Sequence, residues 1–254
     1  MSNPENQSFK PISPKALETL KRFDSPTISN VIELFRIRPN TAGWMSSSIR
    51  AIYPQLPPIA GYATTATFRS AFPSGDADVY KRIIEHVEKM QAIPEPRVSV
   101  IQDLDDPPSG AVLGEVMSRL YRRFGCSGIV TNGTSRDLLQ VGKLNLPVFA
   151  SGLVVSHAYP HFVEIHVSVH IAGLTVRPGD LLHADANGVV LIPPEIAEHV
   201  AAACADFCDA ENIIMNCLER SDVTVEKYRE VYAQTVKTIG ELGERLRQKH
   251  AQSH

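Results

Sequence analysis

The sequence predicts a single α/β domain, residues 1–254, ending in a helical extension. Three observations carry this. Between 97 and 155, apolar strand-like runs alternate with helix-like ones, a rhythm that implies parallel pairing through right-handed crossovers. From 162 to 194 the pattern turns antiparallel, with 178-PGD-180 and 187-NG-188 as turn signals between apolar runs. Beyond 195 the spacing of apolar residues is helical throughout.

Taken in order, residues 1–12 are polar and proline-containing and read as a loose arm. The α/β core is expected over 13–194. It opens with a helix at 14–23 and a second at 24–35, where Asp24 or Ser25 caps and Pro26 occupies the first turn. The run 59-IAGYATTATFRSA-71 reads as a strand. A helix follows at 73–93, with Val79, Ile83, Ile84 and Val87 on one face. Then come strand 97–104, helix 111–125, strand 127–133, helix 135–144 and strand 147–155. The stretch 162–176 reads as one strand, and 181–194 as a hairpin around Asn187-Gly188. Two long helices, 195–220 and 222–250, complete the chain.

Composition sets the class. Of 254 residues, 43% are apolar and 21% charged, as in an ordinary globular protein. A net charge of −3 supplies no attraction for nucleic acid or an anionic membrane surface. No apolar run reaches the roughly 18 residues a membrane span needs, and the amino terminus lacks a secretory pattern. The expectation is a cytoplasmic protein. Cys126, Cys204, Cys208 and Cys217 complete no zinc set and read as small buried hydrophobes.

The chemistry is expected where strands give way to helices, since ligands of α/β sheets bind beyond the carboxyl ends of the strands. In 128-GIVTNGTSRDLL-139, Gly133 permits a sharp exit, and Arg136 and Asp137 are expected in the first turn of the next helix. The arginine can fork a carboxylate, and the aspartate can offer a hard oxygen to a divalent cation. The same pair also suits an aspartate placed for the helix dipole beside an incidental arginine. The neighbouring joint, 110-GAVLGEVM-117, adds Gly114, Glu115 and the free amides of a helix start. His157 and His161 lie where they could reach a substrate. His166 and His170 alternate with apolar residues on the polar face of a strand.

The runs 114-GEVMSRLYRRFGCSGIVTNGTSRD-137 and 178-PGDLLHADANGVVLIPPE-195 resemble the family of 4-hydroxy-4-methyl-2-oxoglutarate aldolases and regulator-of-ribonuclease-activity-A-like (RraA-like) proteins, over roughly residues 25–215. The resemblance implies an αββα-type sandwich akin to the swivelling phosphohistidine domain. It also implies homotrimers or homohexamers with active sites between subunits. By the same resemblance, Asp137 holds magnesium or manganese, partly through waters, and Arg136 clamps the pyruvate-end carboxylate. The amides of Val116 and Met117 share that clamp, and Glu115 lies near the metal waters. A glutamate from the neighbouring subunit completes the site: Glu211 is the candidate, ahead of Glu195 and Glu198. The implied activity is that of a class II (metal-dependent) pyruvate aldolase. Such an enzyme cleaves a 4-hydroxy-2-oxo acid to pyruvate, with oxaloacetate decarboxylation as companion.

Two alternatives stand beside it: a non-catalytic regulator acting by surface contact, and a related lyase or hydrolase on another carboxylated substrate. The long tail with Glu211 favours catalysis. Asn132 departs from the family's D-G-x-x-R-D run, so a structural hydrogen bond is expected to survive there without the charge. The stretch 156-SHAYPHF-162 and the helix at 73–93 suggest a pocket shaped for something other than the standard dicarboxylate.

Overall fold

A computed structural model describes residues 11–75 and 79–252. The arm expected over 1–12 falls outside it up to residue 10, as do residues 76–78 of the helix expected over 73–93. At the described edge, the Ile12 N–H donates to the Tyr62 hydroxyl at 2.9 Å.

Helices α1 (Pro14–Leu20) and α2 (Ser25–Phe35) open the chain. Each start is capped as a short polar side chain allows: Ser13 Oγ accepts from the Ala16 N–H, and Asp24 Oδ1 from the Thr27 N–H at 2.8 Å. Strands β1 (Arg50–Ala51) and β2 (Ile59–Arg69) lead to α3 (Val79–Met90). Next come β3 (Arg97–Asp103), β4 (Ala111–Leu113), α4 (Glu115–Arg123), β5 (Cys126–Thr131) and β6 (Thr134–Ser135). Helix α5 (Leu138–Gly142), β7 (Val148–Ala150) and β8 (Gly152–Leu153) follow. The antiparallel part holds β9 (His161–Ile165), β10 (Val169–Ile171), β11 (Leu174–Val176), β12 (Leu181–Asp185) and β13 (Gly188–Ile192). Helices α6 (Ala197–Leu218) and α7 (Val225–Gln252) form the tail.

The main sheet runs β1-β7-β5-β3-β2-β12-β13. β2, β3, β5 and β7 are parallel neighbours, as the strand–helix alternation predicts. β2 is long enough to hold two antiparallel partners on one edge, β12 along Ile59–Tyr62 and β9 along Ala66–Arg69. A second, parallel three-stranded sheet, β4-β6-β8, carries the candidate site.

Side chains alternate across the main sheet as the two-residue period requires. Ala60 and Tyr62 of β2, with Val190 and Ile192 of β13, pack on α1, α2, α6 and α7. Ala66 and Phe68, with Ile129 and Val148, meet α4, α5 and the half-buried Ile83 of α3. Ala63, Val98, Val130 and Phe149 meet hairpin β10–β11 and Met45.

Four expectations are corrected. The helix expected from 111 starts only at Glu115, because buried Ala111, Val112 and Leu113 form β4 against β6. The helix expected over 135–144 shrinks to five residues, so Arg136 and Asp137 precede it instead of filling its first turn. The strand expected over 162–176 breaks into three, at His166 (φ 61°) and at Ala172-Gly173 (φ 49° and 87°). In the β12–β13 hairpin the turn residues are Ala186 and Asn187. Gly188 pairs with Asp185 and supplies the left-handed backbone, φ 135°. Among the described residues no helix is long and apolar enough to cross a membrane.

Candidate active site

Beyond the carboxyl ends of β3 and β5 the chain enters β4 and β6. Their pairing, Ala111 with Thr134 and Leu113 with Ser135, sets the two strand–helix joints side by side. The Arg136 N–H donates to the Leu113 carbonyl at 3.0 Å, holding Arg136 against the start of α4. Gly114 makes the approach possible. A Cβ there would stand 2.5 Å from Asp137 Oδ2 and 3.1 Å from Arg136 Cγ and Nε.

Asp137 has left-handed backbone (φ 57°), a region aspartate tolerates better than most residues. Its Oδ2 accepts the Glu115 N–H at 2.9 Å. The carboxylate therefore sits at the positive end of α4, whose cap residue Gly114 has no side chain to bond those amides. Arg136 Nε lies 3.7 Å from the same oxygen, a long ion pair with both side chains about one-third exposed. Asp137 Oδ1 and the terminal guanidinium nitrogens of Arg136 have no hydrogen bond or ion pair among the described residues. Beside the pair opens a cleft of about 330 Å³, lined by Arg136, Asp137, Leu138, Leu153, Val154 and Val155.

The other expected residues divide. Val116 is exposed, and its amide and that of Met117 belong to the unpaired first turn of α4. The Met117 side chain packs into the core. Glu115 turns along the helix, its Oε1 accepting from Arg119 Nε at 2.9 Å and Nη2 at 2.7 Å. His157 follows the cleft wall, its backbone packed against Gly110 and its Nδ1 near the Ala158 carbonyl. His161 lies farther off, paired with Arg69 across β9 and β2. Glu211 is on α6, where burial and the nearby Asp24 raise its pKa. Glu195 and Glu198 serve the same region: Glu195 interacts with Arg38, and both Glu198 carboxylate oxygens bond Ser13.

Asp103 went unpredicted. It ends β3, is buried, and has an Oδ2 with no hydrogen-bond partner, while Oδ1 accepts the Asp105 N–H. Burial pushes its pKa up to about 6, with the Asp105 N–H and Arg69 acting the other way. Its place at the end of a parallel strand was the available signal. The aliphatic wall at 153–155 was missed because a two-residue strand carries no periodicity.

The donor set bears on a metal. Among the described residues no three His, Cys, Asp or Glu side chains gather into a cage. One carboxylate with a free oxygen, beside a cleft, suits a hard cation such as magnesium, which keeps several waters and takes further ligands from substrate. The residues fit such an ion on those terms.

The site thus joins an arginine–aspartate pair to a helix start on an α/β scaffold. The chain belongs to the RraA-like family: that family's model, described as Aldolase/RraA, matches residues 27–191. A protein from Halalkalibacterium halodurans named "Putative 4-hydroxy-4-methyl-2-oxoglutarate aldolase" is 29% identical over 102 residues, 40% of this chain and 49% of the relative. Protein DlpA of Legionella pneumophila is 25% identical over 239 residues, 90% of this chain but 35% of the relative. The alignments thus span about half or less of these curated relatives. Among solved structures, an uncharacterized protein from Pseudomonas syringae superposes with a TM-score of 0.70 at 23% identity, covering 91% of this chain and all of its own. RraAS2 of Streptomyces coelicolor, described as an unusual member of the RNase ES inhibitor RraA family, gives 0.64 at 23% identity, covering 80% and 96%. These two likenesses speak for the fold.

Proposed function

We propose that this protein is a divalent-metal-dependent lyase that cleaves a 4-hydroxy-2-oxo acid to pyruvate and also decarboxylates oxaloacetate. One observation carries the reading: a guanidinium with free terminal nitrogens and a carboxylate with a free oxygen flank one cleft at the start of α4. The names of relatives such as the Halalkalibacterium protein point the same way.

In this reading Arg136 forks the substrate carboxylate, with the Val116 and Met117 amides as further donors. Asp137 would hold magnesium or manganese, and such an ion would supply Lewis-acid polarisation of the 2-oxo group. As the carbon–carbon bond breaks, negative charge grows on the pyruvate enolate oxygen, where Arg136 and the positive end of α4 stabilise it, and a proton delivered to the enolate carbon then releases pyruvate. Glu115, whose Oε1 is held by Arg119, is one candidate to take the proton of the distal hydroxyl. Glu211 of a neighbouring copy in a homotrimer or homohexamer is the second candidate for that role.

The test is pyruvate formation from oxaloacetate and from 4-hydroxy-4-methyl-2-oxoglutarate, with magnesium and with chelator. Metal-dependent turnover is expected, reduced roughly 100-fold or more in Arg136→Ala and in Asp137→Ala. No turnover of either compound by the metal-loaded protein would rule out cleavage of these two dicarboxylates and leave a lyase or hydrolase on another carboxylated substrate, or a non-catalytic regulator.

A further inference from the structure

The lining of the cleft is one-sided. Arg136 and Asp137 form one end, and Leu138, Leu153, Val154 and Val155 form the rest. That aliphatic wall is held in place by main-chain pairing: Ser135 is in register with Leu153, and the Val154 N–H donates to the Ser135 carbonyl at 3.0 Å. It starts on β8, the strand paired beside the one that delivers Arg136, so wall and cation keep a fixed relation. Leu153 is 50% exposed and Val155 92% exposed, so their apolar surface is available to a bound molecule.

We infer that the cleft takes a 4-hydroxy-2-oxo monocarboxylate with an alkyl distal end, in preference to a dicarboxylate; this rests on the lyase reading above, and unreactive 2-oxo acids without the hydroxyl serve as its binding probes. A substrate whose single carboxylate is forked by Arg136 lays its remaining carbons along Leu153, Val154 and Val155. A second carboxylate at that end would meet aliphatic side chains and no cation of the cleft lining, and a charge brought among apolar groups without a partner is disfavoured. Asp137, the other charged group of the lining, repels it further.

Calorimetry on the full-length protein with magnesium tests this without relying on turnover. The probes are 2-oxobutanoate, 2-oxopentanoate, 2-oxohexanoate and 2-oxoglutarate. The dissociation constant is expected to fall about two- to fourfold with each added methylene. 2-Oxohexanoate should bind roughly tenfold tighter than 2-oxoglutarate. In Leu153→Arg, which places a cation on an exposed position of the wall, the preference should swing to 2-oxoglutarate. A flat methylene series, or tighter binding of 2-oxoglutarate by the unmodified protein, overturns the inference. If pyruvate is still released from 4-hydroxy-4-methyl-2-oxoglutarate, the lyase reading survives that result. Binding of none of the four, together with no pyruvate release, overturns both.

Discussion

Two single residues decide most about the site. Gly114 is the position where any side chain collides with the functional pair: its Cβ would lie 2.5 Å from Asp137 Oδ2. Its own backbone (φ −147°, ψ −158°) is extended and open to any residue, so Gly114→Ala leaves the fold intact while pushing Asp137 and Arg136 back. Displacements of about 1 Å cost on the order of 100-fold in rate. Pyruvate release should fall by about that factor with an unchanged circular dichroism spectrum. Asp103 decides a pH dependence. Its pKa is raised by burial to about 6, above the ordinary carboxylate value the unfolded chain restores. Between about pH 4 and pH 6 the unfolded state has released a proton that the folded state keeps, so stability falls as pH rises across that window and is level above it. Asp103→Asn removes the charge. Its thermal midpoint should equal the parent's near pH 4 and exceed it by a few degrees at pH 8.

At the scale of elements, the join between β3 and β5 explains the departure at Asn132. The ladder between these strands ends at Ile101 and Thr131, and the Asn132 side chain extends it. Its Oδ1 accepts the Asp103 N–H at 2.7 Å and its Nδ2 donates to the Asp103 carbonyl at 2.8 Å. Only an amide does both. In Asn132→Asp a carboxylate oxygen would face that carbonyl, and a second charge would stand beside Asp103. A loss of about 1–3 kcal/mol is expected in denaturant unfolding, and an unchanged midpoint would refute the bracing role. The expectation of a surviving structural hydrogen bond at Asn132 came from the side chain's chemistry alone; its partner did not. The parallel core was legible because β3, α4 and β5, of seven, nine and six residues, are long enough to show their periods. The small sheet β4-β6-β8 was not, since two or three residues show no period. Asp137's left-handed turn was hidden for a related reason: aspartate suits a helix cap and an αL position equally well. So the sequence pointed to Arg136 and Asp137 as a pair, but not to Gly114 as the space they need or to residues 153–155 as the wall they face.

At the scale of the whole molecule, the tail raises the question of what completes the site. The carboxy-terminal half of α7 is anchored: Leu242 and Leu246 are buried, and Arg247 Nη1 donates to the Leu34 carbonyl at 2.7 Å. Its first half leaves Val225, Tyr228, Tyr232 and Val236 exposed, with Met215 and Leu218 of α6. Exposed apolar surface of this kind marks contact regions, and the proposed trimer or hexamer would cover it. Sedimentation should then show a multiple of the 27.9 kDa chain. Glu211 gives the sharper test. Within one chain it belongs to the α6–α2 contact beside Asp24, away from the α4–α5 side that carries Arg136 and Asp137. If it serves catalysis, it does so in a neighbour's cleft, and the two defects must then complement. Asp137→Ala and Glu211→Ala should each be inactive alone. When the two are co-expressed, random mixing gives about a quarter of the sites an intact Asp137 from one chain and an intact Glu211 from the next, and activity should return to about that fraction. Full activity of Glu211→Ala by itself would instead assign the residue to the packing of α6 on α2. Glu115 would then be the remaining named candidate for the proton acceptor.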